Sequence, residues 1–129
     1  MKVTGIDHLV LTVRDIDETV SFYEKVLGME RVVFNEGRVA LKFGCQKINL
    51  HASGQEFEPK AASPTSGCAD LCFITPINLK DAIIHVESCG VEVIEGPVKR
   101  TGANGGILSF YFRDPNGNLI EVANEANAT

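Results

Sequence analysis

The chain has 129 residues, 44% of them hydrophobic and 22% charged, which is enough apolar side chain for a folded core and excludes global disorder. Twelve Lys and Arg against 17 Asp and Glu give a formal charge of −5 with no basic stripe, which removes the electrostatic basis for binding nucleic acid. No apolar run approaches the ~20 residues of a bilayer span, and the opening residues lack the apolar stretch of a signal peptide, so no membrane association and a cytoplasmic location are expected.

In chain order, Gly5-Ile6-Asp7-His8-Leu9-Val10-Leu11 reads as a strand. Ile16, Val20, Tyr23 and Leu27 then form one apolar stripe at helical spacing, with Asp15 and Glu18 spaced like a capping box and Gly28 as the left-handed stop. Residues 29–34, 38–43 and 47–51 have strand character, with Gly44-Cys45-Gln46 as a turn. The polar stretch 56–66, with Pro59 and Pro64, reads as a linker. Beyond it Gly67 to Phe73 is a strand, and Asn78 caps a helix striped by Leu79, Ile83 and Val86 that stops at Gly90. Residues 91–94, 107–112 and 118–123 follow as strands, the last two joined by the turn Asp114-Pro115-Asn116-Gly117. Residues 96–106, with four glycines, read as a long loop of the kind that carries function.

These elements repeat. Gly5 and Gly67, His8 and Asp70, and Gly28 and Gly90 all stand at one ungapped offset of 62. The expected fold class is α+β, a single domain over 1–129 made of two paired βαβββ modules that form curved sheets around a central cleft. Module one covers about 1–55, the linker about 56–66, and module two about 67–129, with a pseudo-twofold axis relating the modules. Cys45, Cys68, Cys72 and Cys89 make no Cys-x-x-Cys pair and are expected to be reduced and buried.

Polar residues at inward positions of such strands carry the chemistry. His8 and Asp70 are repeat equivalents. Ile48-Asn49-Leu50 aligns with Ile120-Glu121-Val122, which makes Asn49 the equivalent of Glu121, and His51 shares a face with Asn49 by strand alternation. A carboxylate between Ile120 and Val122 needs a partner, because burying it alone costs several kcal/mol. His8, Asn49 or His51, Asp70 and Glu121 are expected to converge as a divalent-metal site.

The paired modules, the opening Ile-Asp-His-Leu-Val-Leu-Thr-Val, the stretch Phe22 to Met29 and the ending Phe112-Arg113-Asp114-Pro115-Asn116-Gly117-Asn118-Leu119-Ile120-Glu121 resemble the vicinal oxygen chelate superfamily. That superfamily spans glyoxalase I, extradiol dioxygenases, fosfomycin-modifying enzymes and bleomycin-resistance proteins. Residues 43–51, 57–60 and 70–75 are similar to the branch containing glyoxalase domain-containing protein 5. The resemblance implies His8 and Glu121 as metal ligands. It also exposes departures: Asp70 stands where a second His is usual, and Asn49 stands where glyoxalase I has a Glu.

The expected function is a glyoxalase-like lyase or isomerase acting on a small molecule with adjacent oxygens. Its metal would be held by His8, Glu121, Asp70 and His51, and Glu121 or Asp70 would serve as base. One or two imidazoles with carboxylates favour manganese, nickel, iron or magnesium, with zinc possible. Lys99 and Arg100 are expected to hold an anionic substrate group, with Asn49 also facing substrate. Two alternatives stand beside this reading. A metal-free binding protein of the bleomycin-resistance type explains Asn49 and Asp70, and an extradiol dioxygenase requires His51 to supply the second imidazole. Exposed sheet edges, and the habit of the superfamily, point to a homodimer.

Overall fold

The computed structural model describes residues 1–126. The chain divides into two compact units, Met1–Cys68 and Ala69–Thr129. Each holds one helix and one four-stranded sheet, and the fold is α+β.

Unit one runs β1 (His8–Val13), α1 (Ile16–Leu27), β2 (Glu30–Phe34), β3 (Arg38–Phe43) and β4 (Gln46–Ala52). Asp15 starts α1 by accepting from the Glu18 amide at 2.8 Å, and Gly28 ends it in the left-handed conformation at φ 65°. The sheet order is β1-β4-β3-β2, with β1 parallel to β4 and the other pairs antiparallel. One face carries Leu11, Val13, Val39, Leu41, Ile48 and Leu50, all buried, and α1 packs on these strands through Val20, Tyr23 and Val26.

Unit two repeats the plan with β5 (Asp70–Ile74), α2 (Leu79–Ser88), β6 (Glu95–Gly102), β7 (Gly105–Arg113) and β8 (Leu119–Glu125), in the order β5-β8-β7-β6. Asn78 caps α2 by accepting from the Lys80 amide at 3.0 Å. Phe110, Phe112, Ile120 and Val122 form the buried face, with Leu79 and Val86 of α2. The repeat holds at the level of hydrogen-bond register, although the last strands correspond at a longer offset than the 62 residues that relate the first strands and the helices. Val10 pairs with Asn49 in β1 and β4, and their equivalents Cys72 and Glu121 pair in β5 and β8.

The turn after β7 is tied by side chains. Buried Asp114 accepts from the backbone amides of Asn116 (2.8 Å) and Asn118 (3.0 Å) and from Asn118 Nδ2 (2.8 Å). Asn118 Oδ1 in turn accepts from the Ala69 amide at 2.9 Å, so the turn fixes where β5 begins.

Two expectations about this unit are corrected. Residues 91–94 form no strand, and residues 96–106 are not a loop: they supply most of a hairpin, β6 and β7, closed by a turn at Ala103 and Asn104. The glycines there serve pairing. Gly96 has φ 129° at the β-bulge between Glu95 and Val98, and a Cβ on it would overlap Phe110, so only glycine lets the strands close. The four cysteines are free as expected but not buried: Cys45, Cys68 and Cys72 are exposed and Cys89 half-buried.

Candidate functional site

In each unit the helix covers one sheet face, and the functional residues lie on the other. On the open face of unit one the register brings together His8, Val10 and Thr12 from β1, Lys47, Asn49 and His51 from β4, Arg38, Ala40 and Lys42 from β3, and Glu30, Val32 and Phe34 from β2. β4 continues to Ala52, so the alternation that puts His51 on the Asn49 face is kept.

His8 is the first residue of β1, its side chain 45% exposed, and its Nδ1 lies 2.8 Å from Asp7 Oδ1. That hydrogen bond is the main reason the Asp7 carboxyl sits below its ordinary range. With Nδ1 donating to Asp7, Nε2 keeps its lone pair, the arrangement in which a carboxylate orients an imidazole for coordination.

His51 is in a different state. It is 4% exposed, its Nε2 lies 3.3 Å from Arg38 Nη2, and the Phe57 ring stands edge-on to it at 5.3 Å. Burial, with the Arg38 charge second, pushes its pKa below the ordinary histidine value, and Glu56 opposes this. The neutral ring accepts from the guanidinium through the nitrogen that a metal would use. Asn49, also buried, has an Oδ1 with no hydrogen-bond partner among the described residues.

On the open face of unit two, Glu121 of β8 is flanked in register by Cys72 on β5 and Tyr111 on β7. Asp70 lies on the same face, two residues before Cys72. Glu121 is half-buried, makes no ion pair among the described residues, and lines a cavity of about 370 Å³ with Cys72, Ile74, Arg100, Gly102 and Ile107. The Cys72 thiol hydrogen-bonds Glu121, and desolvation, with the Glu121 and Asp70 charges, pushes its pKa up to about 11. It is a donor here and not a nucleophile.

Arg100 faces this cavity, but it is held: its Nε donates to Tyr111 Oη at 3.0 Å and its Nη2 reaches Glu95 Oε1 at 3.3 Å. The hydrogen bond to Tyr111 is the leading cause of its raised pKa. Lys99 pairs with Leu108 and Arg100 with Ile107, so strand alternation sends the two cations to opposite faces of the hairpin.

Sequence reasoning grouped Asn49 with His51 and placed Glu121 on the inward side of its strand. It passed over Arg38, Tyr111 and Cys72 because each gains its meaning from a partner distant in sequence. The signal that was available is strand alternation, which puts Tyr111 and Arg38 on the same faces as their partners once the pairing is known. Within neither unit do three or more of the described His, Cys, Asp and Glu residues gather in a metal-binding group.

The chain is 56% identical to virulence protein STM3117 of Salmonella typhimurium over 123 residues, covering 95% of this chain and 85% of that protein. It is 53% identical to the glyoxalase domain-containing protein RDO1 of Mycosarcoma maydis over 128 residues, covering 99% of this chain and 72% of that one. The solved integron cassette protein VCH_CASS1, from the mobile metagenome of V. cholerae, superposes with a TM-score of 0.96 at 64% identity, covering 98% of both chains. Residues 5–122 match the sequence profile of the Glyoxalase/Bleomycin resistance protein/Dioxygenase superfamily, and with its paired strand-helix-strand units the chain belongs to that superfamily.

Proposed function

We propose that this protein is a glyoxalase-like, metal-dependent enzyme of lyase or isomerase type, acting on a small molecule with adjacent oxygen atoms. The observation that carries the reading is Glu121, a half-buried carboxylate that makes no ion pair among the described residues and lines a cavity whose cation, Arg100, is engaged by Tyr111 and Glu95. A protein keeps such a group where a ligand completes it.

Among similar proteins, the fosfomycin resistance protein FosX of Listeria monocytogenes was solved in complex with manganese(II), and FosB of Shouchella clausii is named a metallothiol transferase. The donors here suit one. His8 offers Nε2 with its other nitrogen secured by Asp7, and Asp70 and Glu121 are carboxylates without ion pairs among the described residues. An imidazole with two carboxylates favours manganese, nickel, iron(II) or magnesium over a sulfur-loving ion, with zinc tolerated. We leave His51 out of the ligand set, because its Nε2 faces Arg38. Extradiol chemistry, which needs a second imidazole, goes with it.

When bound, the metal would polarise a substrate oxygen and make the neighbouring C–H bond more acidic. The chain's own residues then have defined tasks. Glu121 or Asp70 takes the proton from one carbon and returns it to the next. Cys72 donates to Glu121 and restrains its carboxylate. Tyr111, held by Arg100, presents a hydroxyl beside Glu121, and Asn49 offers an amide to substrate.

A second reading, a metal-free small-molecule binder, is favoured by one specific observation: the repeat equivalent of Glu121 is the uncharged Asn49. Metal analysis of protein purified without a histidine tag separates the two. The enzyme reading expects a divalent metal near stoichiometric with the chain. Metal-free protein that also fails to bind added manganese, nickel or zinc would leave the binder. We further propose a homodimer, since each sheet ends on strands with an unpaired edge.

A further inference from the structure

We propose that the open face of the first sheet carries a second recognition element, a site centred on the Arg38 guanidinium that takes the carboxylate of a small 2-hydroxy acid with an apolar body. It rests on the open face of the first unit and goes beyond the enzyme reading, which is carried by Glu121 of the second.

The first observation is charge without a counter-charge. Arg38, Lys42 and Lys47 share this face, and the only acid in register with them is Glu30, across from Lys42 on the edge strand β2. Arg38 is half-buried and makes no ion pair among the described residues. Lys47 makes none either; its ammonium sits over the Phe34 ring at 3.7 Å. Glu56, the nearest acid of the following segment, is held by the Gly54 amide at 2.6 Å and by Lys60 at 3.6 Å. The acids within electrostatic reach, Asp7 for Lys47 and Glu56 for His51, are engaged by His8 and by Gly54 and Lys60, so the half-buried Arg38 guanidinium has no ion-paired anion among the described residues, and its partial desolvation is costly without one.

The second observation is that the guanidinium is fixed. Its Nη2 lies 3.3 Å from His51 Nε2, and its plane is flanked by Phe57 at 4.4 Å and Phe34 at 5.3 Å. Neither a neutral imidazole nor an aromatic ring cancels the charge. They orient the guanidinium and leave Nε and Nη1 without partners among the described residues, and the second Nη2 hydrogen lies parallel to an N–H of one of them, which keeps one two-pronged edge open. A planar, preorganised fork suits a carboxylate, whose two oxygens match two parallel N–H groups. Phe57, 45% exposed, supplies apolar surface beside it for the rest of the ligand.

The third observation is independent of charge. Asn49 is 6% exposed and its Oδ1 has no partner among the described residues. It lies on the same face, two residues before His51 and in register with Ala40, one diagonal step from Arg38. A buried amide oxygen without a donor costs about 1–3 kcal/mol, and a ligand hydroxyl placed next to the carboxylate would satisfy it. A carboxylate on Arg38, an adjacent hydroxyl on Asn49 and an apolar body on Phe57 together describe a 2-hydroxy acid.

The test is a nuclear magnetic resonance titration of full-length, chelator-treated protein with mandelate, following the Arg38 Nε–H and Asn49 side-chain amide signals. Phenylacetate, which lacks the hydroxyl, and benzyl alcohol, which lacks the carboxylate, are the comparison probes. Saturable shifts at both side chains are expected with mandelate. Phenylacetate should bind several-fold more weakly without moving Asn49, and benzyl alcohol should produce no saturable shift. Arg38→Gln should weaken mandelate more than tenfold, and Arg38→Lys, which keeps the charge and loses the fork, should fall between the two. Shifts scattered over surface lysines, or unchanged affinity in Arg38→Lys, overturn the proposal. Because no metal is present, this result stands or falls separately from the metal reading.

Discussion

Cys72 stands directly opposite Glu121 where β5 pairs with β8, and its thiol donates to that carboxylate. Desolvation first, then the Glu121 charge, pushes the thiol up to about 11, although the residue is exposed. A thiol at about 11 carries about a hundredfold less thiolate near neutrality than one at 9.0, offset in part by its greater intrinsic nucleophilicity. Alkylation of Cys72 by iodoacetamide at pH 8 should therefore run about tenfold slower than that of exposed Cys45 or Cys68. Glu121→Gln removes the charge that holds the proton and should narrow the gap. Equal rates at all three cysteines in the native protein would remove the Cys72–Glu121 contact from the account.

The Asp114–Asn118 knot sets stability. Asp114→Ala strips three hydrogen bonds from a buried turn and leaves Asn118 Nδ2 unsatisfied, for a loss of about 2–3 kcal/mol in urea unfolding. Asp114→Asn retains shape and should cost less. A neutral Asp114→Ala would mean that water replaces the carboxylate.

His51 gives the fold a pH dependence of known sign. Its folded pKa is depressed, so between the folded and unfolded values the unfolded chain binds the extra proton. Its contribution to stability is fully present above the unfolded histidine value of about 6.5 and is lost as pH falls through the lower folded value. Urea midpoints taken downward from pH 7.5 should decline less steeply in His51→Gln than in the native protein. Arg38→Gln removes one depressing charge and should raise the His51 pKa measured by ring-proton shifts. A drop in that pKa would contradict the contact.

Arg100 is expected to act on binding. It faces the Glu121 cavity while anchored to Tyr111 and Glu95, so Arg100→Ala should raise KM more than it lowers kcat once a substrate is identified, whereas Lys99→Ala, on the opposite face, should leave both unchanged. Equal effects of the two substitutions would place the cations on a common solvated surface.

Much of the fold was legible because it depends on local chemistry. The caps Asp15, Gly28 and Asn78 act within five residues of themselves, and the repeat appears directly as the register Val10 with Asn49 and Cys72 with Glu121. Residues 107–112 of β7 were legible as a strand, but β6 and the start of β7 were not, because Gly96, Pro97, Gly102, Gly105 and Gly106 disfavour strands in isolation. Cys72 read as a buried apolar thiol and is an exposed donor. Arg38 and Phe57 carried no local sequence signal, since their grip on His51 spans 13 and 6 residues and forms only when β3, β4 and the following segment fold together. The spacing of His51 was read correctly as inward, while the nitrogen it would present was not readable.

The central proposal is that the chain binds a divalent metal, with His8, Asp70 and Glu121 put forward as ligand residues. Isothermal titration of chelator-treated protein with manganese, nickel and zinc tests it most directly, against the His8→Ala, Glu121→Gln double mutant. The native protein should bind at least one of these ions at least tenfold more tightly than the mutant. Affinity should also fall in acid, where protons compete with the metal for its ligands. Equal binding by the two proteins, or no binding by either, would contradict the claim and leave a metal-free binding protein.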